Sequence, residues 1–197
     1  GKGMKGVATK DEDFPKSIIT CFSKDRLLIF TNRPATKDIK DDDGNKIGEK
    51  EYIEGRIYGL KAWETPQGSR TSRGSHIRNC LELKDDESVV SIIALKRELV
   101  DENQRSWSEY NPLRKKLKIG ESLTPEESAR FEELENLLKN DSLAFATKKG
   151  IIKKSFLHHY SRINRSGKIA INMAEDDALI TVRHGTDSDE VVLISNN

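Results

Sequence analysis

Cysteine is scarce: Cys21 and Cys80 are the only two in 197 residues, both in apolar runs, and with the histidines they complete no set of ligands at zinc spacing. That absence excludes a zinc site and leaves the expectation of two buried thiols in a reducing compartment rather than a disulfide. Long apolar runs are missing as well. No stretch approaches the ~18 residues that a membrane-spanning helix needs, and the opening residues lack the pattern of a signal peptide, so the chain reads as soluble and cytoplasmic. Nor does one sign of charge dominate, with 34 Lys plus Arg against 33 acids and a net charge of +1. A uniformly basic coat is excluded, and any electrostatic function has to come from how the charges are distributed. No Ser-His-Asp arrangement, nucleophile elbow or phosphate-binding glycine loop occurs, so no catalytic residue is assigned.

What the sequence does contain is a repeat. Three segments, Asp25–Asn32, Asp141–Lys148 and Asp189–Asn196, each start on an acid, run through apolar and β-branched residues, and end on polar turn formers. That pattern reads as a strand. The first two copies continue alike. Each has a second strand after a glycine (Gly55–Lys61, Gly150–Lys154) and a basic loop (Ser69–Gly74, Ser161–Gly167). An acidic turn and a further strand then close each copy (Asp85–Ile93, Glu175–Val182). Short strands repeating as a block predict blade-like, all-β units.

Two stretches interrupt the repeat. Residues 34–54 are polar, carry Asp41-Asp42-Asp43-Gly44, and read as a loop insertion or an extended hairpin. They are not an EF-hand. Placing Gly44 at the glycine position puts Ile39 first and Lys50 last, where calcium needs carboxylates. Residues 96–140 turn helical. Thr124-Pro125-Glu126-Glu127 is a capping box with proline at the first helical position, and Phe131, Leu134 and Leu138 follow at helical spacing. With a partner helix around Glu98 to Tyr110, the segment is expected to be a helical hairpin inserted at a blade edge.

The runs Gly55-Arg-Ile-Tyr-Gly-Leu-Lys61, Glu64-Thr-Pro66, Ser69-Arg-Thr-Ser-Arg-Gly74 and Asn79 resemble the first blade of the C-terminal, DNA-wrapping domain of the bacterial DNA gyrase A chain. Ala146–Lys154 followed by Gly167–Asn172 resembles the second blade. The resemblance covers both repeats and the trailing strand but neither insertion. It implies a β-pinwheel over residues 1–197: propeller-like blades that exchange strands with their neighbours, in an incomplete ring of about two blades that is part of a longer polypeptide. Gly1-Lys2-Gly3 is similar to the end of the family's glycine- and arginine-rich box, the rest of which is absent from this sequence. The family further implies double-stranded DNA as ligand, and the gyrase B chain and the rest of the gyrase A chain as partners. No cofactor is expected in this domain, since ATP and Mg²⁺ belong to other parts of the holoenzyme.

Binding a DNA backbone requires fixed cations at phosphate spacing, and the arginine fork grips phosphate oxygens in pairs. The basic loops supply Arg70 and Arg73 in one copy and Arg162 and Arg165 in the next. Lys148, Lys149, Lys153 and Lys154 add to the second, Arg56 and Lys61 to the first, and Lys2 to the opening box. No base-reading motif accompanies them. Trp63, Tyr58 and Trp107 therefore read as packing residues, and the adjacent His158 and His159 as surface or turn residues. Two rival readings stand beside this one: the equivalent domain of topoisomerase IV, and a propeller-like protein-interaction module acting through the helical insertion.

Overall fold

Leu27, Leu28, Ile29 and Phe30 carry apolar side chains to both faces of an extended backbone, which suits a strand covered on both sides. In the computed structural model, which describes residues 17–68 and 75–194, they open β1 (Arg26–Lys40), which turns back into β2 (Lys46–Lys61). β3 (Ser88–Leu95) joins the free edge of β1. β6 (Lys168–Ile171) joins that of β2, giving a four-stranded sheet of order β3-β1-β2-β6. Ile29 and Leu27 pack with Tyr58, Leu60, Ala62 and Leu81 on one face. Leu28, Phe30 and Ile57 are buried facing the other way.

The chain divides into two compact units. One takes the chain through Arg97 with Ala146–Ile151 and Ile163–Val182; the other takes Glu98–Phe145, Ile152–Arg162 and the residues from Arg183. A second sheet has order β5-β4-β7, from β4 (Asp141–Thr147), β5 (Ile152–Phe156) and β7 (Leu179–Thr186). The repeat is thus visible in the topology. β3-β1-β2 and β7-β4-β5 are the same arrangement of corresponding strands, and β6, from the second copy, is contributed to the sheet of the first.

The helices fall in the second unit from Glu98 on. α1 (Arg97–Lys118) and α2 (Pro125–Asn140) fall within 96–140. α2 starts on the capping box: Thr124 Oγ1 accepts from Glu127 N at 3.2 Å, and Glu127 Oε2 accepts from Thr124 N at 3.0 Å. Tyr110, Leu134 and Leu138 form its core with Trp107, Leu113 and Phe131. α1 runs on past the expected Tyr110 and through Pro112. A proline removes one ladder hydrogen bond, and the packing of Leu113 in the core carries the helix across it.

Several expectations are corrected. Of the two readings of residues 34–54, the extended hairpin holds and the loop does not: β1 and β2 stay paired from Pro34↔Ile53 to Ile39↔Gly48. Pro34 is tolerated because β3 pairs β1 only from Arg26 to Asn32, which leaves that edge of β1 without a strand to receive an N–H. The third copy forms no strand over its described residues, 189–194. Its turn is nevertheless built. Asp189 Oδ2 accepts from Thr186 N at 2.7 Å and Asp189 N donates to Thr186 O, as Asp25 does with Phe22. The repeat specifies this turn locally, while a strand needs a ladder partner as well. Both cysteines are free, but Cys21 is exposed because it precedes β1 in a segment without regular structure. Trp63 is 58% exposed rather than packed. His158 and His159 both lie in the turn Leu157–Tyr160, His159 exposed as expected but His158 buried rather than at the surface.

Candidate nucleic-acid interface

The basic loop of the second copy is fixed by its backbone. The carbonyls of Ile163, Asn164, Arg165 and Ser166 accept, in order, from the Arg26 guanidinium, Gly59 N (3.5 Å), Glu82 N (3.4 Å) and the Arg56 guanidinium (3.4 Å). With four consecutive carbonyls turned toward the rest of the first unit, the Arg165 side chain is left outward and about half exposed. Glycine is required at both ends of this contact. A Cβ on Gly167 (φ +66°) would lie 2.4 Å from the Tyr58 ring, and one on Gly59 would lie 2.9 Å from the Ile163 oxygen.

The candidate cations divide into classes. Arg56 is largely buried: it meets Glu54 at 3.3 Å and the Tyr58 hydroxyl at 3.2 Å, in addition to Ser166. Burial alone would raise the Glu54 carboxyl, but hydrogen bonds from Tyr52, Arg33 and Arg56 outweigh it and hold Glu54 below its ordinary range. Arg56 therefore positions the loop, as does Arg26, which sequence reasoning missed. Each is legible only as a charge at the start of an apolar strand. Arg165 pairs with Glu64 at 3.0 Å. Burial would raise that carboxyl too, and the Lys61 N–H and Arg165 reverse the effect. Lys61 itself is exposed, its ammonium 5.7 Å from the Trp63 ring centroid.

Lys148 and Lys149 sit on the tight turn between β4 and β5, which is closed by Thr147 N to Ile151 O and Gly150 N to Thr147 O, each 3.0 Å. Both are exposed; Lys149 Nζ donates to the Glu175 carbonyl. Asp177 anchors this turn, accepting from Lys149 N at 3.0 Å. In the second unit, Lys154 pairs with Asp187 at 2.6 Å, while Lys153 and Arg162 are exposed and make no ion pair with a described residue. Lys2, Arg70 and Arg73 lie outside the described residues. Among the described residues no group of three or more His, Cys, Asp or Glu could hold a metal ion, and no helix is long and apolar enough to cross a membrane.

Residues 54–96 and 141–184 match the family model described as DNA gyrase C-terminal domain, beta-propeller. These are the two repeats without either insertion. Over 193 residues the chain is 34% identical to the DNA gyrase A chain of Staphylococcus epidermidis and 31% identical to that of Staphylococcus aureus, covering 98% of this chain in each case. It spans about 15% of the length of these relatives. It is also similar to the crystal structure of the C-terminal domain of DNA topoisomerase IV, with a TM-score of 0.52 and 19% identity over 92% of this chain and 38% of that one. A likeness at that identity shows the fold alone: mostly β, propeller-like, with two helices added.

Proposed function

The chain belongs to the family of DNA gyrase C-terminal, β-propeller domains, and we propose that it is a non-catalytic module that binds and bends duplex DNA through phosphate contacts made by its basic loops. The observation that carries this reading is the loop 163–167, whose backbone is fastened carbonyl by carbonyl so that its arginine faces solvent. A preordered cation loses less side-chain and backbone freedom on binding than a mobile one. Each phosphate it neutralises also releases counterions. Lys148, Lys149, Lys153, Lys154, Lys61 and Arg162 add further positive charge, and Arg56 acts by holding the loop. Contacts of this kind carry no base information, so binding is governed by backbone charge and DNA deformability. Bending 20–30 bp costs on the order of 1–6 kcal/mol, which a row of such contacts offsets. In the whole gyrase A chain the module presents a bent segment to the rest of the enzyme, together with the gyrase B chain, for ATP-dependent supercoiling. The names of the curated relatives favour gyrase over topoisomerase IV.

The test is a DNA titration across salt concentrations. Replacing Arg70, Arg73, Arg162 and Arg165 together by glutamine should weaken binding to any duplex sequence and lower the log–log salt slope by about 0.9 per lost contact. Lys115→Gln with Lys118→Gln, on the exposed side of α1, is the control and should change little. A quadruple variant that binds like the parent would overturn the reading. Loss of binding in the control instead would move the site to the helical insertion.

A further inference from the structure

The helical hairpin does not close along its whole length. Between the first half of α1 and the last turns of α2 lies a cavity of about 620 Å³. Asn103 lines it and is only 5% exposed. Its Nδ2 donates to the Leu99 carbonyl at 3.2 Å, which fixes the orientation of the amide. Its Oδ1 is then left with no partner among the described residues. A buried acceptor without a donor costs free energy, so this atom marks where a hydrogen-bond donor belongs.

The other lining groups narrow what that donor can be. Leu99, Leu137 and Leu138 supply an apolar wall, and Glu102, Glu133 and Asp141 supply carboxylates, Asp141 already held by His184 at 2.8 Å, with no lysine or arginine among the lining residues. Glu102 has no ion pair with a described residue, while Glu133 meets Arg130 at 2.7 Å on an exposed flank, a weak pair. Phosphate is excluded by the sign of the charge. A metal ion is excluded by geometry, since no three carboxylates or imidazoles converge among the described residues. An apolar wall leading to acceptors and a carboxylate fits an aliphatic stem that ends in a cationic donor group.

We infer that this cavity receives an arginine or lysine side chain presented by a partner protein. The stem lies against Leu99, Leu137 and Leu138, and the head donates to Asn103 Oδ1 and Glu102. The inference is independent of the DNA reading, because it uses a different face chemistry and opposite charge.

The experiment follows the Asn103 side-chain amide and the Leu137 and Leu138 methyls of the chain by NMR during titration with N-acetyl-arginine amide. N-acetyl-citrulline amide, a near-isostere without the charge, is run in parallel. Saturable shifts are expected with the arginine probe and none with citrulline. Glu102→Gln, an exposed change that leaves the fold intact, should weaken binding about tenfold, the effect of removing a charged hydrogen-bond partner. Asn103→Leu should abolish it. Equal shifts with citrulline, unchanged affinity in Glu102→Gln, or the same resonances responding to duplex DNA would each overturn the proposal.

Discussion

The two segments that interrupt the repeat, 34–54 and 96–140, lie essentially outside the residues matched by the family model, but they are stabilised differently. The first continues a ladder that already exists. Its register runs without a break from the buried Leu27–Phe30 stretch out to Ile39↔Gly48, while burial falls away until Ile39 and Ile47 are exposed at the tip. Asp41 closes the turn, accepting from Asn45 N at 2.8 Å and Asp43 N at 3.1 Å. The second changes structural type and has to carry a core of its own, Tyr110, Leu134 and Leu138, with Trp107 stacked on His158 at 4.7 Å. Extending a ladder adds one set of backbone pairs at a time, whereas a new helical pair must bury apolar surface to offset the ordering of its backbone.

That difference sets where each segment can be broken. Leu134 is fully buried in the helical core, so Leu134→Ala should cost about 2–5 kcal/mol. Hydrogen exchange should locate the loss in the α1 and α2 amides, with those of Leu27–Phe30 far less affected. Equal loss of protection in both places would mean that the helical core is not a separate source of stability.

His158 sharpens the comparison through pH. Burial, aided by the neighbouring His159 and Arg114, lowers it from its ordinary 6.5 to about 4, against the opposing hydrogen bond to the Leu138 carbonyl. Because that carbonyl only accepts, Nδ1 carries the proton of the neutral ring, at 3.2 Å. Between about pH 4 and 6.5 the unfolded state binds a proton that the folded state does not. Stability therefore rises with pH across this window and falls on acidification, by at most about 3 kcal/mol. His158→Phe should keep the stacking and remove this increment from the pH dependence of α1 and α2 exchange. Residues 34–54 contain no histidine and should show no such slope. Identical slopes in parent and variant would defeat the assignment.

How each part can be read from sequence follows from the same physics. The strands Asp25–Asn32 and Asp141–Lys148, and the helices, are visible because apolar periodicity and the Thr124 capping box are local signals. The full extent of the hairpin is not, because Thr36–Lys50 is polar on both faces and its pairing is imposed by the adjacent ladder. The site is legible as charges but not as roles. Arg56 and Arg26 look like any strand-flanking arginine, and only long-range pairing with carbonyls 163 and 166 makes them supports of the loop. The burial of His158 escapes a sequence reading because it comes from Trp107 and Leu138, residues distant along the chain.

The smallest effect is expected where the hairpin is longest. Replacing Lys37–Lys50 by Asn-Gly would join Thr36 to Glu51 through a two-residue turn of the type that matches strand twist. The residues removed are nearly all exposed. The ion pairs lost, Lys46 with Asp38 (2.8 Å) and Glu49, and Lys50 with Glu175 (2.5 Å), are between exposed side chains, and such pairs are individually worth little. Shortening the connection also lowers the entropic cost of closing it, by roughly 1–2 kcal/mol at about 0.6 kcal/mol per doubling of length. These terms nearly cancel, so the denaturation midpoint should shift by less than about 1 kcal/mol equivalent, and the Leu27–Phe30 amides should keep their protection. A loss of more than about 2 kcal/mol would exceed what exposed pairs can supply. The outer ladder would then be a stabilising element of the sheet, and the contrast with the helical insertion would fail.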